Sequence, residues 1–302
     1  MDHLGSARGI RRACGSAAVG LMIALAVAAC AVGAGQPATT GPTAPTTFPP
    51  LAAGSCGDDQ PGRYVDETFD VAAVETVRYS GELLADVYRP ADDPASCRIG
   101  VVWVHGGGFT QATRDSPAER AWGAALARRG YVALSIDYRL GSGEPFGLDQ
   151  ATTPDRQAVV AGAVADAQAA LDWARTSADD LGLDPGRVVI GGTSAGAMTA
   201  LGAGLTAPGA RAPCGIVAIS GDLEPDWVGP NTPSVLFVHG DADQLVPYQS
   251  SVEGAHLVRQ AGGRADLIIV PGAGHEITGE PDDALVGDVT RWLREVVAPG
   301  CR

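Results

Sequence analysis

With 302 residues, the chain is long enough to bury one enzyme-sized core. Its 21 basic residues are all arginine and stand against 35 Asp and Glu, a formal charge of −14. That balance weighs against nucleic acid and anionic lipid headgroups as partners of the folded domain.

The first segment does not belong to that domain. Arg8, Arg11 and Arg12 precede an apolar run from about Ala17 to Ala29 that ends in "AVAAC", the layout of an export signal over residues 1–29. "VAAC" resembles the lipobox of bacterial lipoproteins, which makes Cys30 the implied lipidated residue and predicts an extracytoplasmic protein anchored to the cell membrane. A plain secretory peptide or a retained membrane helix is the alternative. Residues 30–60 follow as anchor and linker, with "QPATTGPTAPTTFPP" too rich in proline and threonine to bury a core. The folded domain is expected over 61–302.

Export would leave four cysteines in an oxidising compartment, Cys56, Cys97, Cys214 and Cys301. Of the three possible connectivities, Cys56–Cys97 with Cys214–Cys301 is favoured, because Cys97 and Cys214 each precede a predicted strand and Cys301 ends the chain. No two of them have the C-x-x-C spacing of a metal site.

Beyond residue 63 two strands are expected, then strands alternating with helices. Short apolar runs, most of them β-branched, mark strands at Leu83–Tyr88, Ile99–Val104, Val132–Ile136, Val188–Ile190, Ile216–Ile219, Val235–Val238 and Leu267–Val270. Helices are predicted near Pro117–Arg129, Arg156–Leu181, Ala195–Leu205, Pro247–Ala261 and Asp282–Val297. This alternation predicts an α/β fold, a mostly parallel sheet of about eight strands with helices on both faces. Ligands of such a sheet sit outside the carboxyl ends of its strands.

Four of those ends carry chemistry. "GGTSAG" after Ile190 matches G-x-S-x-G, with Ser194 on a sharp strand-to-helix turn that would lift its hydroxyl as a nucleophile. A serine needs a base, and of His105, His239, His256 and His275 the last, in "VPGAGHE" beyond the final strand, is best placed. The orienting acid comes from "HGDADQLVP". Asp243 is chosen over Asp241, which stands next to Gly240 and is better placed to stabilise the turn. "HGGGF", residues 105–109, follows a buried strand and can bring backbone amides against a reacting carbonyl.

Together, "LLADVYRP", "VVWVHGGGF", "ALSIDYRL", "DAQAALDWAR", "LGLDPGRVVIGGTSAGA", "HGDADQLVP" and "GAGHE" resemble the α/β-hydrolases, and among them the bacterial carboxylesterase and hormone-sensitive-lipase-like group, over about Tyr64 to Val297. The resemblance implies Ser194 as nucleophile, Asp243 as acid, His275 as base, and oxyanion donors at Gly107, Gly108 and Ala195. Two positions depart from the group's pattern: Thr193 replaces the usual acidic residue before the serine, and Ala197 a common glycine. Only "GDLEPDWVGPNTP" separates the sixth and seventh strands, which leaves no room for a large lid.

The function expected is hydrolysis of a small-molecule carboxylic ester through an acyl-enzyme, with no cofactor and no metal. Phe109, the loop Leu140–Pro154 and Trp227 of the 221–233 connection are candidates for the substrate pocket. A peptidase of the same fold and a non-catalytic surface binding protein are the alternatives.

Overall fold

The computed structural model describes residues 60–143 and 154–299, all within one compact unit, Ala44–Arg302. The export signal, Cys30, the Pro/Thr-rich linker, Cys56, Cys301 and residues 144–153 of the expected pocket loop lie outside the described residues.

Eight strands form one sheet: β1 (Glu75–Ser80), β2 (Leu83–Tyr88), β3 (Arg98–Val104), β4 (Val132–Ile136), β5 (Leu183–Thr193), β6 (Gly215–Ile219), β7 (Ser234–Gly240) and β8 (Ala265–Val270). Their order is β1-β2-β4-β3-β5-β6-β7-β8. β2 runs antiparallel to β1 and β4, and all pairs from β4 through β8 are parallel. With six α-helices among the described residues, α1 (Pro117–Arg128), α2 (Pro154–Thr176), α3 (Ala178–Leu181), α4 (Ala195–Leu205), α5 (Gln249–Gln260) and α6 (Asp283–Val297), this is the α/β-hydrolase fold.

The central strands are apolar along their whole length because both faces are covered. In β3 every residue is buried, and successive side chains serve opposite cores. Val102 and Val104 join Leu171 of α2, Leu201 of α4 and Val258 of α5, whereas Val101 and Trp103 join Leu126 of α1 and Leu293 of α6. Trp103 stacks on Trp122 of α1 with ring centroids 4.4 Å apart. At the sheet edge, β1 alternates exposed and buried residues, the pattern of a strand with one face in water.

Side-chain ties fix the loops above the sheet. Arg139, two residues past the aspartate that follows β4, donates through Nε to both carboxylate oxygens of Asp166 on α2 at 3.0 and 2.8 Å. Asp137 accepts from Arg114, which also reaches Asp86 on β2. These contacts account for the "DYRL" and "DAQ" segments as structural. Cys97 and Cys214 are both disulfide-bonded. The connection between β6 and β7 holds a single turn of 3₁₀ helix, Pro225–Trp227, and no lid.

Candidate active site

β5 ends at Thr193 and α4 starts at Ala195, leaving Ser194 to make the whole turn with φ 54° and ψ −121°. A non-glycine residue at positive φ is strained by about 1–3 kcal/mol. The surroundings hold it there: the Ser194 N–H donates to Ile219 O of β6 at 2.8 Å, and its carbonyl accepts the Met198 N–H at 3.1 Å. Both motif glycines are required sterically. A Cβ on Gly192 would come within 2.5 Å of the Val104 carbonyl oxygen, and one on Gly196 within 2.1 Å of the same atom. Ala197 is tolerated because Gly221 opposite has no side chain, a Cβ at 221 falling 2.6 Å from that of Ala197.

The three residues named from the sequence meet above this elbow. Ser194 Oγ lies 3.0 Å from His275 Nε2, and His275 Nδ1 lies 2.7 Å from Asp243 Oδ2. A proton on Nδ1, donated to the carboxylate, leaves Nε2 to accept from the serine hydroxyl. Asp243 is anchored by its other oxygen, which accepts the Leu245 and Val246 amides at 2.9 Å each. Burial alone would raise its pKa, but the Val246 amide, His275 and the Leu245 amide outweigh it and hold the carboxyl below the usual range. Asp241 accepts the Gly272 amide at 2.6 Å, which ties its loop to the one that follows β8.

The other histidines are accounted for. His239 is buried behind Asp243, with Nδ1 2.7 Å from Ser251 Oγ and Nε2 2.9 Å from Val246 O. Burial, against the pull of the Val246 carbonyl and Asp243, lowers its pKa and keeps it neutral. His105 is buried under the glycine loop, and His256 is exposed and pairs with Gln260.

Ser194 and His275 open into a cavity of about 410 Å³, walled by Gly106 to Phe109, Ala195, Glu119, Arg156 and Leu245, among others. Gly107 turns with φ 97°, and a Cβ there would stand 2.3 Å from Gln111 O. Ala195, as first residue of α4, has an N–H without an intrahelical acceptor. Gly107, Gly108 and Ala195 therefore line one space next to the Ser194 hydroxyl, the place where backbone amides could receive an oxyanion. Phe109 lines this cavity. Trp227 does not: it lines a second cavity of about 370 Å³ between α2 and the 221–233 connection, together with Val164, Gln168 and Glu224. The α4 position facing it is Gly202, where a Cβ would meet the Trp227 ring at 3.0 Å, so the indole is drawn to this gap instead of to Ser194.

Two charged wall residues went unnoticed in the sequence. Arg156, at the start of α2, borders both cavities, buried, with Nη1 3.6 Å from Glu224 Oε1. Glu119, in the first turn of α1, is 3% exposed. Burial raises its pKa to about 7, against the pull of its own amide and that of Gly106. The available signal was its place in the first turn of the helix that follows the glycine loop.

Comparison with known proteins divides the chain at the site. The family profile BD-FAE matches residues 85–212, which carry the glycine loop and Ser194, and the prolyl oligopeptidase family profile matches 223–299, which carry Asp243 and His275. Liver carboxylesterase B-1 of Rattus norvegicus is 31% identical over 159 residues, 51% of this chain and 26% of that protein. The para-nitrobenzyl esterase of Bacillus subtilis (strain 168) is 33% identical over 147 residues, 48% of this chain and 29% of the relative. The chain thus spans about a quarter to a third of the length of these curated relatives. Among solved structures it is similar to Thermogutta terrifontis esterase 2 phosphonylated by cyclosarin, with TM-score 0.60 and 26% identity over 76% of this chain and 94% of that one. The butyrate-bound form of that esterase gives TM-score 0.58 at 25% identity, over 78% and 93%.

Proposed function

We propose that the protein is a serine esterase acting on small carboxylic esters. The observation that carries this is the Ser194–His275–Asp243 relay, at 3.0 and 2.7 Å, in a cavity that Gly107, Gly108 and Ala195 also line. Ser194 Oγ attacks the ester carbonyl carbon while its proton passes to His275 Nε2. The carbonyl electron pair moves to oxygen, which the Gly107, Gly108 and Ala195 amides stabilise. Collapse expels the alkoxide, protonated by His275, and leaves an acyl-enzyme. Water, deprotonated by the same nitrogen, then attacks the acyl carbon and releases the acid.

The test is hydrolysis of p-nitrophenyl esters of short and long chain by wild type, Ser194→Ala and His275→Ala. Wild-type turnover abolished in both variants is expected, and wild type no faster than Ser194→Ala at every chain length would overturn the reading. Peptidase activity is the second reading, favoured by the prolyl oligopeptidase profile over the acid and base. Release of p-nitroaniline from peptidyl anilides faster than of nitrophenol from esters would establish it.

We also propose a lipoprotein anchored through Cys30 outside the cytoplasm, with disulfides Cys56–Cys97 and Cys214–Cys301. The "VAAC" segment supports the first and the oxidised state of Cys97 and Cys214 the second. Mass spectrometry of the mature N-terminus and of non-reduced peptides tests both. An unmodified N-terminus elsewhere removes the anchor, and a peptide joining Cys97 to Cys214 removes the pairing.

A further inference from the structure

Helix α4 leaves Ser194 with small side chains, and among residues 195–200 only Met198 is larger than threonine. Ser194, Met198, Gly202 and Thr206 recur every fourth residue and so share one face, with Ser194 and Gly202 about 12 Å apart at the rise of an α-helix. Helix α2 lays a matching row beside them, Arg156, Val160, Val164 and Gln168. Arg156 Nη2 lies 3.6 Å from Met198 Sδ, a Cβ on Gly202 would stand 2.5 Å from Val164 Cγ2, and Gln168 Nε2 donates to Thr206 Oγ1 at 3.0 Å. The two cavities lie in series along this seam. Met198 lines only the one at Ser194, Arg156 lines both, and Val160, Val164 and Trp227 line the second.

The chemistry sets which part of an ester points along the seam. Once the carbonyl carbon is bonded to Ser194 Oγ, its oxygen belongs to the glycine loop and its alcohol to His275, which protonates it. The acyl chain takes the direction that is left, along α4 towards Met198. There the space ends, because the Met198 side chain is 5% exposed and backed by Arg156. At about 410 Å³ the cavity is near the lower end of the range for ligand pockets, roughly 300–1,000 Å³.

We propose that Met198 is the end wall of the acyl site: it restricts the enzyme to short aliphatic acyl groups and closes off the second cavity, where Val160, Val164 and Trp227 would receive a longer chain. This rests on the esterase function proposed for the site, and names the substrates that function favours.

The test measures kcat/KM on p-nitrophenyl butyrate and octanoate. Wild type should prefer butyrate by at least about 10-fold. Met198→Ala should raise the octanoate-to-butyrate ratio by about 10-fold or more, whereas Met198→Leu, close in volume, should keep it within about threefold. A merely structural role would lower both esters alike and leave the ratio where it was. Adding Ala161→Trp, at an exposed α2 position that lines the second cavity, to Met198→Ala should return the ratio to the wild-type value. In a second series, octyl against butyl acetate, Met198→Ala should shift the ratio by less than about threefold, because the alcohol leaves on the His275 side. Where alanine leaves the protein unfolded, Met198→Val, which also shortens the side chain, takes its place. A wild type that prefers octanoate, a ratio unmoved by alanine or valine, a gain that survives Ala161→Trp, or an equal gain in the alcohol series would each overturn the proposal and leave the esterase reading intact. A wild type inert towards every ester would overturn both.

Discussion

His239 Nε2 lies 3.3 Å from Asp243 Oδ2, the oxygen that His275 approaches from the other side at 2.7 Å. One carboxylate oxygen is thus bracketed by two imidazoles of different character, one buried and held neutral and the other facing the cavity beside Ser194. His239 hands no proton to substrate, but it fixes where the acid stands.

His239→Ala should therefore destabilise the fold as well as slow the reaction. It leaves Ser251 Oγ and Val246 O unpaired in the core, an expected loss of about 2–4 kcal/mol. Ser251→Ala removes only one hydroxyl and should lose about 1 kcal/mol. Urea unfolding of the two variants checks the order. Equal losses would show that His239 is replaceable packing.

The two aspartates of the "HGDAD" segment should separate cleanly. Asp243→Asn is expected to lower kcat by about 10³- to 10⁴-fold, because the amide no longer selects the histidine tautomer that accepts from Ser194. Asp241→Asn loses part of a loop-to-loop contact with Gly272 and should stay within about threefold of wild type. Steady-state kinetics on a p-nitrophenyl ester decides, and a larger loss at Asp241 would reassign the acid.

Much of this site was legible because it is local. Strand-ending motifs report their own turns, so Ser194, Asp243 and His275 could be named from neighbours in the chain, and β-branched runs gave seven of the eight strands. β1 was missed as a run because "ETVRYS" alternates polar and apolar residues at a sheet edge. The helix expected over Arg156–Leu181 breaks after Thr176, and the short α3 ends at Gly182 with φ 69°. β5 starts earlier than its apolar run, at Leu183, through pairing with Arg98. Trp227 and Glu119 show the limit. Each is decided by which distant surface it packs on, Gly202 on α4 for one and the glycine loop for the other, and no local pattern encodes that.

The elbow glycines give a steric prediction. Gly196→Ala places a methyl group within 2.1 Å of Val104 O and 2.5 Å of His105 O, both backbone atoms that cannot step aside. The helix must shift relative to β3, which moves Ser194 away from His275. A stability loss of more than about 3 kcal/mol is expected, with residual activity below about 1%. Thermal unfolding and ester hydrolysis test it, and a variant as active as wild type would mean the elbow relaxes freely.

Glu119 makes stability depend on pH in a direction opposite to that of a paired carboxylate. Its pKa is about 7 in the folded protein and 4.5 for the free side chain, so between these values the folded state holds a proton that the unfolded chain has released. Stability from this group is complete below about pH 4.5 and is lost as pH rises through 7. The change between pH 5 and 8 amounts to about 2–3 kcal/mol. Glu119→Gln removes the titration, leaving every other ionisable group in place. The difference in unfolding free energy between variant and wild type should therefore shift towards the variant by that amount from pH 5 to pH 8. Urea unfolding of both proteins at the two pH values measures the double difference, in which the remaining titrations cancel. A constant difference would mean that the carboxyl ionises as it does in water, and that its burial beside the Gly106 amide does not hold in solution.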